Sequence, residues 1–126
     1  MKVIWYESEE RSINVSIANY GLTFSADAIK AMGNPDYIKM GLDIEAKKII
    51  VKICDADDVN GIEFKNKNKR NYVRIANKGF IKFLKKTMKD ENIIDEKSST
   101  HKAEWNATEK IMYISLDKEE SKDQEW

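Results

Sequence analysis

Val15-Ser16-Ile17-Ala18-Asn19-Tyr20-Gly21 and Val73-Arg74-Ile75-Ala76-Asn77-Lys78-Gly79 stand 58 residues apart and agree at five of seven positions. Each opens on alternating apolar and polar residues, the period of a half-buried strand, and each ends on turn formers. Working outward, the order of elements repeats as well. After the first stretch, Leu22-Thr23-Phe24 is a brief strand and Ser25 a natural N-cap. Ala26 to Met32 then places Ala28, Ile29 and Met32 at the spacing of one helical face, and Gly33-Asn34-Pro35 stops that helix. Tyr37 to Leu42 resumes extended structure, Asp43 to Lys48 is a polar turn, and Ile49 to Cys54 is the strongest strand signal in the chain. After the second stretch, Gly79 to Met88 reads as a helix with Phe80, Phe83, Leu84 and Met88 on one side. Ala103-Glu104-Trp105 and Ile111 to Leu116 then frame Asn106 to Lys110 as a last hairpin. The pattern is strand, turn, helix, hairpin, twice. A unit of about 40 residues cannot easily bury its own apolar face, so two such units are expected to share one core.

The remaining segments are punctuation around this pattern. Val3 to Tyr6 reads as an edge strand or N-terminal arm, and Asp55 to Gly61 as a loop. Ile62-Glu63-Phe64-Lys65 is expected to pair with Tyr72-Val73-Arg74-Ile75 as a hairpin tipped by Asn66 to Asn71. Asp90 to Lys102 is polar and expected to be mobile, with Ile93-Ile94 docking, and Asp117 to Trp126 reads as a charged, disordered tail. The expected organisation is one domain over residues 1–116, built from repeats at about 13–54 and 62–116. Its class is α+β and β-rich.

Composition excludes several classes. At 41% apolar and 35% charged, the 126 residues do not read as a disordered chain. No apolar run is long enough to cross a membrane, and the N-terminus turns acidic before an export signal could form, so a cytoplasmic location is expected. One Cys excludes an internal disulfide, and one His with one Cys excludes the usual zinc spacings. Asp55, Asp57 and Asp58 resemble the start of a calcium loop, but Val59 stands at the fifth position and Asn66 at the twelfth. No Ser/His/Asp set or Gly-rich phosphate loop is visible, so the reading is non-enzymatic, with no cofactor and no metal. His101, without a ligand at metal spacing, reads as a surface histidine, and Cys54 as a small core residue.

The stretch from Ile13 to Ile53 resembles the N-terminal domain of AbrB-like transcription regulators, the looped-hinge or swapped-hairpin fold. The parts that carry the resemblance are Val15-Ser16-Ile17, Gly21, Leu22-Thr23-Phe24, Ala26 to Met32 with Gly33, and Leu42-Asp43 through Lys48-Ile49-Ile50-Val51. Two copies in one chain are similar to MraZ-type proteins. The resemblance implies a pseudo-two-fold β-barrel, a DNA-binding regulator of transcription, and a monomeric pseudo-dimer or a homodimer. The family commonly places Arg just after the turn Gly, where this chain has Leu22 in one copy and Phe80 in the other. It also favours Pro at the helix entrance, where Ser25 stands in one copy and a lysine-rich sequence in the other.

The formal net charge is zero, yet residues 65–89 carry ten basic side chains and no acidic one, against an acidic excess on either side. A local field of this kind, not the total, decides what approaches a surface. The candidate nucleic-acid surface is Lys65, Lys67, Lys69, Arg70, Arg74 and Lys78 on a basic hairpin, with Lys82, Lys85, Lys86 and Lys89 on the following helix. Exposed lysines release condensed counterions from phosphates, and the guanidinium groups of Arg70 and Arg74 can bind guanine with two parallel bonds. Asn66, Asn68 and Asn71 read adenine or shape the turn, the second being favoured; Tyr72 is open to base stacking or to a structural role. Duplex DNA is the expected partner. The alternative is a protein-interaction module that offers the basic face to an acidic protein, or a phage-type accessory or assembly protein.

Overall fold

The computed structural model describes residues 2–4, 13–64, 71–90, 93 and 99–116. Eight strands and two helices follow in the order β1 (Asn14–Ala18), β2 (Gly21–Ser25), α1 (Ala26–Met32), β3 (Tyr37–Asp43), β4 (Lys48–Cys54), β5 (Ile62–Glu63), β6 (Tyr72–Ala76), α2 (Lys78–Thr87), β7 (Ser99–Asn106) and β8 (Ile111–Ser115). All strands join one antiparallel sheet in the order β5-β3-β4-β8-β7-β1-β2-β6, which curls into a half-barrel. Side chains alternate across each strand, so one face collects Val15, Ile17, Leu22, Phe24, Ile38, Ile49, Val51, Val73, Ile75, Met112 and Ile114, all buried. The helices cover this concave face with Ala28, Ile29 and Met32 from α1 and Phe80, Ile81 and Leu84 from α2.

The local signals act as the side chains require. Ser25 Oγ accepts from Ala28 N, and Gly33 ends α1 in the left-handed region at φ 76°. The two long hairpins share one turn design. Asp43 Oδ1 accepts from Ala46 N, and Asn106 Oδ1 accepts from Glu109 N, with Lys47 and Lys110 at φ 54° and 57°. The hairpins join through β4 and β8, where Ile50 lies opposite Tyr113. Their outer bonds are reciprocal: Ile53 N donates to Lys110 O, and Leu116 N donates to Lys47 O.

Several expectations need correction. The expected hairpin between Ile62–Lys65 and Tyr72–Ile75 does not form: β5 pairs with β3 and β6 pairs with β2, at opposite ends of the strand order. The barrel is therefore open, and among the described residues no ladder joins β5 to β6. The seam is bridged by side chains instead, through the edge-to-face contact of Phe24 on β2 with Phe64, ring centroids 5.0 Å apart. The two stretches of the five-of-seven sequence match fall on β1 and β6. Val15 and Val73 both face Phe24, so β1 and β6 lie in parallel on the two sides of β2. β2 and β6 each lead straight into a capped helix. Val3 and Ile4 are exposed outside any strand, and their expected strand partners, Trp5 and Tyr6, lie outside the described residues.

Two further corrections concern the second half. Phe83 is half exposed, and Ile81 takes its expected place in the core. The segment Ser99 to Lys102 is the start of β7, and His101 is buried at 2% exposure. Its Nδ1–H donates to Ser115 O at 2.7 Å, and Nε2 shares a hydrogen bond with Ser99 Oγ at 2.8 Å. The imidazole thereby ties β7 to β8, and a buried polar ring is retained because both nitrogens are bonded.

Gly21 is the tightest point of the sheet. It pairs with Ala18 and with Ala76, at φ 149°, and a Cβ there would fall 1.9 Å from the Ile75 carbonyl oxygen. Gly79 stands on α2, where a Cβ meets only Asn77 Oδ1 at 3.3 Å. Gly21→Ala is expected to cost about 3 kcal/mol or more through strain and displaced backbone. Gly79→Ala is expected to stay within about 1 kcal/mol of the parent because helix propensity favours Ala. Thermal denaturation of the two variants checks this; equal midpoints would refute the close packing of β2 on β6.

Candidate nucleic-acid interface

Of the basic residues singled out in the sequence, Lys65, Lys67, Lys69 and Arg70 lie outside the described residues. Arg74, Lys78 and Lys82 are placed, and the structure sets them on an edge strand and a helix rather than on one hairpin. On β6, Val73 and Ile75 point to the core while Tyr72, Arg74 and Ala76 are exposed. The Arg74 guanidinium lies 5.2 Å from the Tyr20 ring centre and 5.7 Å from that of Tyr72. Two rings hold the cation by their quadrupoles and limit its freedom without neutralising it. Tyr72 thus has a definite role, as one wall of this arginine cluster.

The turn between β1 and β2 connects the cluster to α2. Tyr20 O accepts from Asn77 N at 2.8 Å, and Asn19 Oδ1 accepts from Lys85 Nζ at 3.1 Å. Asn77 Oδ1 caps α2 by accepting from Phe80 N at 2.9 Å. The pair Asn19-Tyr20 therefore touches the arginine, the helix cap and a lysine of α2. Lys78, Lys82 and Lys86 form an exposed row on α2 at the four-residue spacing of one face, and Lys89 follows just past the helix end. No ion pair among the described residues engages the row.

The row stands differently toward the helix dipole at its two ends: Lys86, with Lys85, lies in the last turn, where a cation is favoured. The first turn of α2 carries Lys78 and no acid, so a cation faces the positive end of the helix dipole, and like charges repel along the row. Leu22 and Phe80, at the positions where the family resemblance would place arginines, are buried.

A second feature lies at the open seam. A solvent-open pocket of about 300 Å³ is lined by Lys39, Met40, Asn60, Ile62, Asn77, Phe80 and Phe83. Lys39 Nζ meets Asp58 Oδ2 at 3.1 Å, and Asp58 Oδ1 accepts from Asn60 N at 2.8 Å. Those two bonds, the backbone one first, hold the Asp58 carboxyl below its ordinary range. Asp58 is thus a loop staple, and among the described residues no group of three possible metal ligands forms. Burial, with smaller contributions from Asp58 and Asp55, raises the Cys54 thiol above its ordinary value, against the opposing charge of Lys39.

No protein-family model, curated protein or solved structure matches the chain. Among the described residues no helix is long and apolar enough to cross a membrane.

Two outcomes follow from these electrostatics. Lys78→Glu is expected to stabilise the protein by about 0.3–1 kcal/mol, because an acid then faces the positive helix end; urea unfolding checks the sign. Cys54 is expected to react slowly with iodoacetamide at pH 7, with the rate still climbing above the ordinary thiol range as thiolate forms. A rate plateau at neutral pH would contradict the burial of the thiol.

Proposed function

We propose that this protein binds duplex DNA, as a regulator of transcription built from two AbrB-like units in tandem. The observation that carries the DNA reading is the exposed lysine row of α2, whose first member faces the positive helix end and which has no ion-pair partner among the described residues. Such a row is suited to phosphates, which it contacts by releasing counterions. Arg74, oriented by Tyr20 and Tyr72, adds a forked donor beside it that can reach a base edge or a phosphate. The basic surface belongs to the second unit, because α1 carries one lysine, Lys30, where α2 carries a run of them. One asymmetric contact is expected rather than two equal half-sites.

The doubled-unit part of the proposal has separate support. Ile50 opposite Tyr113 and Thr23 opposite Arg74 mark two points about which the strand pairings are reciprocal. About them β1, β2, α1, β3 and β4 correspond to β5, β6, α2, β7 and β8. β1 pairs with β7 as β5 pairs with β3. The caps Ser25 and Asn77 align the buried Ala28, Ile29 and Met32 with Phe80, Ile81 and Leu84. This pattern is what duplication of a strand–strand–helix–hairpin unit produces. Among the described residues, the absent β5–β6 ladder departs from it.

Fluorescence anisotropy with labelled duplex DNA over a salt series tests the function. Lys78, Lys82, Lys86, Lys89 and Arg74 each meeting one phosphate would give a slope of about −4.5 in log K against log salt. Lys82→Glu together with Lys86→Glu is expected to weaken binding by about tenfold or more at low salt, with the fold retained because both residues are exposed. No binding by the parent at low ionic strength would reject the DNA reading.

A further inference from the structure

The exposed side of α2 joins cations to a ring. Lys78, Lys82 and Lys86 are exposed along it, and Phe83 is half exposed beside Lys82. Gly79, about one helical turn before Phe83 on the same face, puts no side chain over the ring. A surface of this make-up complements a segment that carries carboxylates and an aromatic residue close together. The chain has such a segment after β8: Asp117, Glu119, Glu120, Asp123 and Glu125 stand against two lysines and are followed by Trp126. Residues 117–126 lie outside the described residues.

The sheet delivers this segment to the end where α2 docks. β1 and β8 are both antiparallel to β7, so they run the same way. β1 runs toward the Asn19–Tyr20 turn, which bonds Asn77 at the helix cap and Lys85 on α2. At the end of β8 the Ser115 carbonyl is held by His101, which stands opposite Val15 on β1. From there to Tyr20 is two strand spacings across and a short run along β1, about 20 Å in all. The extended segment spans about 33 Å, enough to pass the turn and reach the first half of α2. Two other acidic stretches are placed differently. Glu7, Glu9 and Glu10 precede β1, whose start is at the opposite end of the sheet. Glu91, Asp95 and Glu96 follow α2, whose C-terminal end is about 14 Å from Lys78.

We infer that residues 117–126 dock on the first half of α2 and compete for the lysine row with the proposed DNA. The carboxylates meet Lys78 and Lys82, and the Trp126 ring lies against Phe83. Each exposed ion pair is weak, but a short tether raises the effective concentration to about the millimolar range, so several weak contacts act together. The competition rests on the DNA reading; the docking does not.

The test is paramagnetic NMR on the full chain without nucleic acid, with a nitroxide attached at Ser121→Cys in a Cys54→Ser background. The expected result is broadening of the Lys78, Lys82 and Phe83 amides in dilute protein. Raising salt to about 1 M, where the screening length falls to about 3 Å, is expected to abolish it. So is neutralising the segment with Glu119→Gln, Glu120→Gln, Asp123→Asn and Glu125→Gln together. Phe83→Ala is expected to lower the docked population about threefold through loss of one ring pair. Absence of broadening on α2, its persistence in the neutralised variant, or its appearance only at high protein concentration would each overturn the docking. Anisotropy with duplex DNA then reads the competition: the neutralised variant is expected to bind about fivefold tighter than the parent at low salt. Equal affinities would overturn the competition. No DNA binding by either protein would reject the DNA reading, while the NMR result still decides the docking.

Discussion

The structure depends on the insertion of β2 between β1 and β6. Gly21 makes that possible, because its backbone lies against the Ile75 carbonyl where no side chain fits. From this ladder follow the direction in which β6 enters α2, the exposure of Arg74 beside Tyr20 and Tyr72, and the docking of Asn77 on the Tyr20 carbonyl. It also leaves β6 at one end of the strand order and β5 at the other. The arginine cluster and the seam pocket are both consequences of one strand-pairing choice.

The second half is chemically unlike the first although its elements run in the same order. α1 packs through Ala28 under a serine cap, with Asp27 in its first turn as the dipole favours. α2 packs through Phe80 under an asparagine cap and begins with a lysine. The first helix is arranged for stability. The second sets Lys78 against the positive helix end, ends on Lys85 and Lys86 as the dipole favours, and exposes the Phe83 ring.

Much of the local structure was legible in the residues. Ser25, Gly33 and the Ala28-Ile29-Met32 face defined α1 because capping and helical spacing act within a few residues. The turns at Asp43 and Asn106 were readable for the same reason: each side chain bonds a backbone amide three residues ahead. The basic segment was equally plain, and the structure resolves part of it into an arginine cluster and a helical row. The burial of His101 was not legible. Its partners are Ser99 two residues away and Ser115 on a neighbouring strand, and an isolated imidazole in a polar stretch gives no sign of either.

By itself the sequence determined most of the extended and helical segments, the caps and turns that bound them, and that one stretch is basic, although Ser99 to Lys102, expected to be mobile, is the start of β7. These are short-range matters of period, capping and charge. Only the tertiary structure decided which strands are neighbours. The matching stretches Val15–Gly21 and Val73–Gly79 fall on β1 and β6, which the sheet sets in parallel on the two sides of β2. Strand pairing is set by the simultaneous burial of apolar faces from distant segments and by close backbone approach at Gly21, neither of which is encoded in any one window of residues.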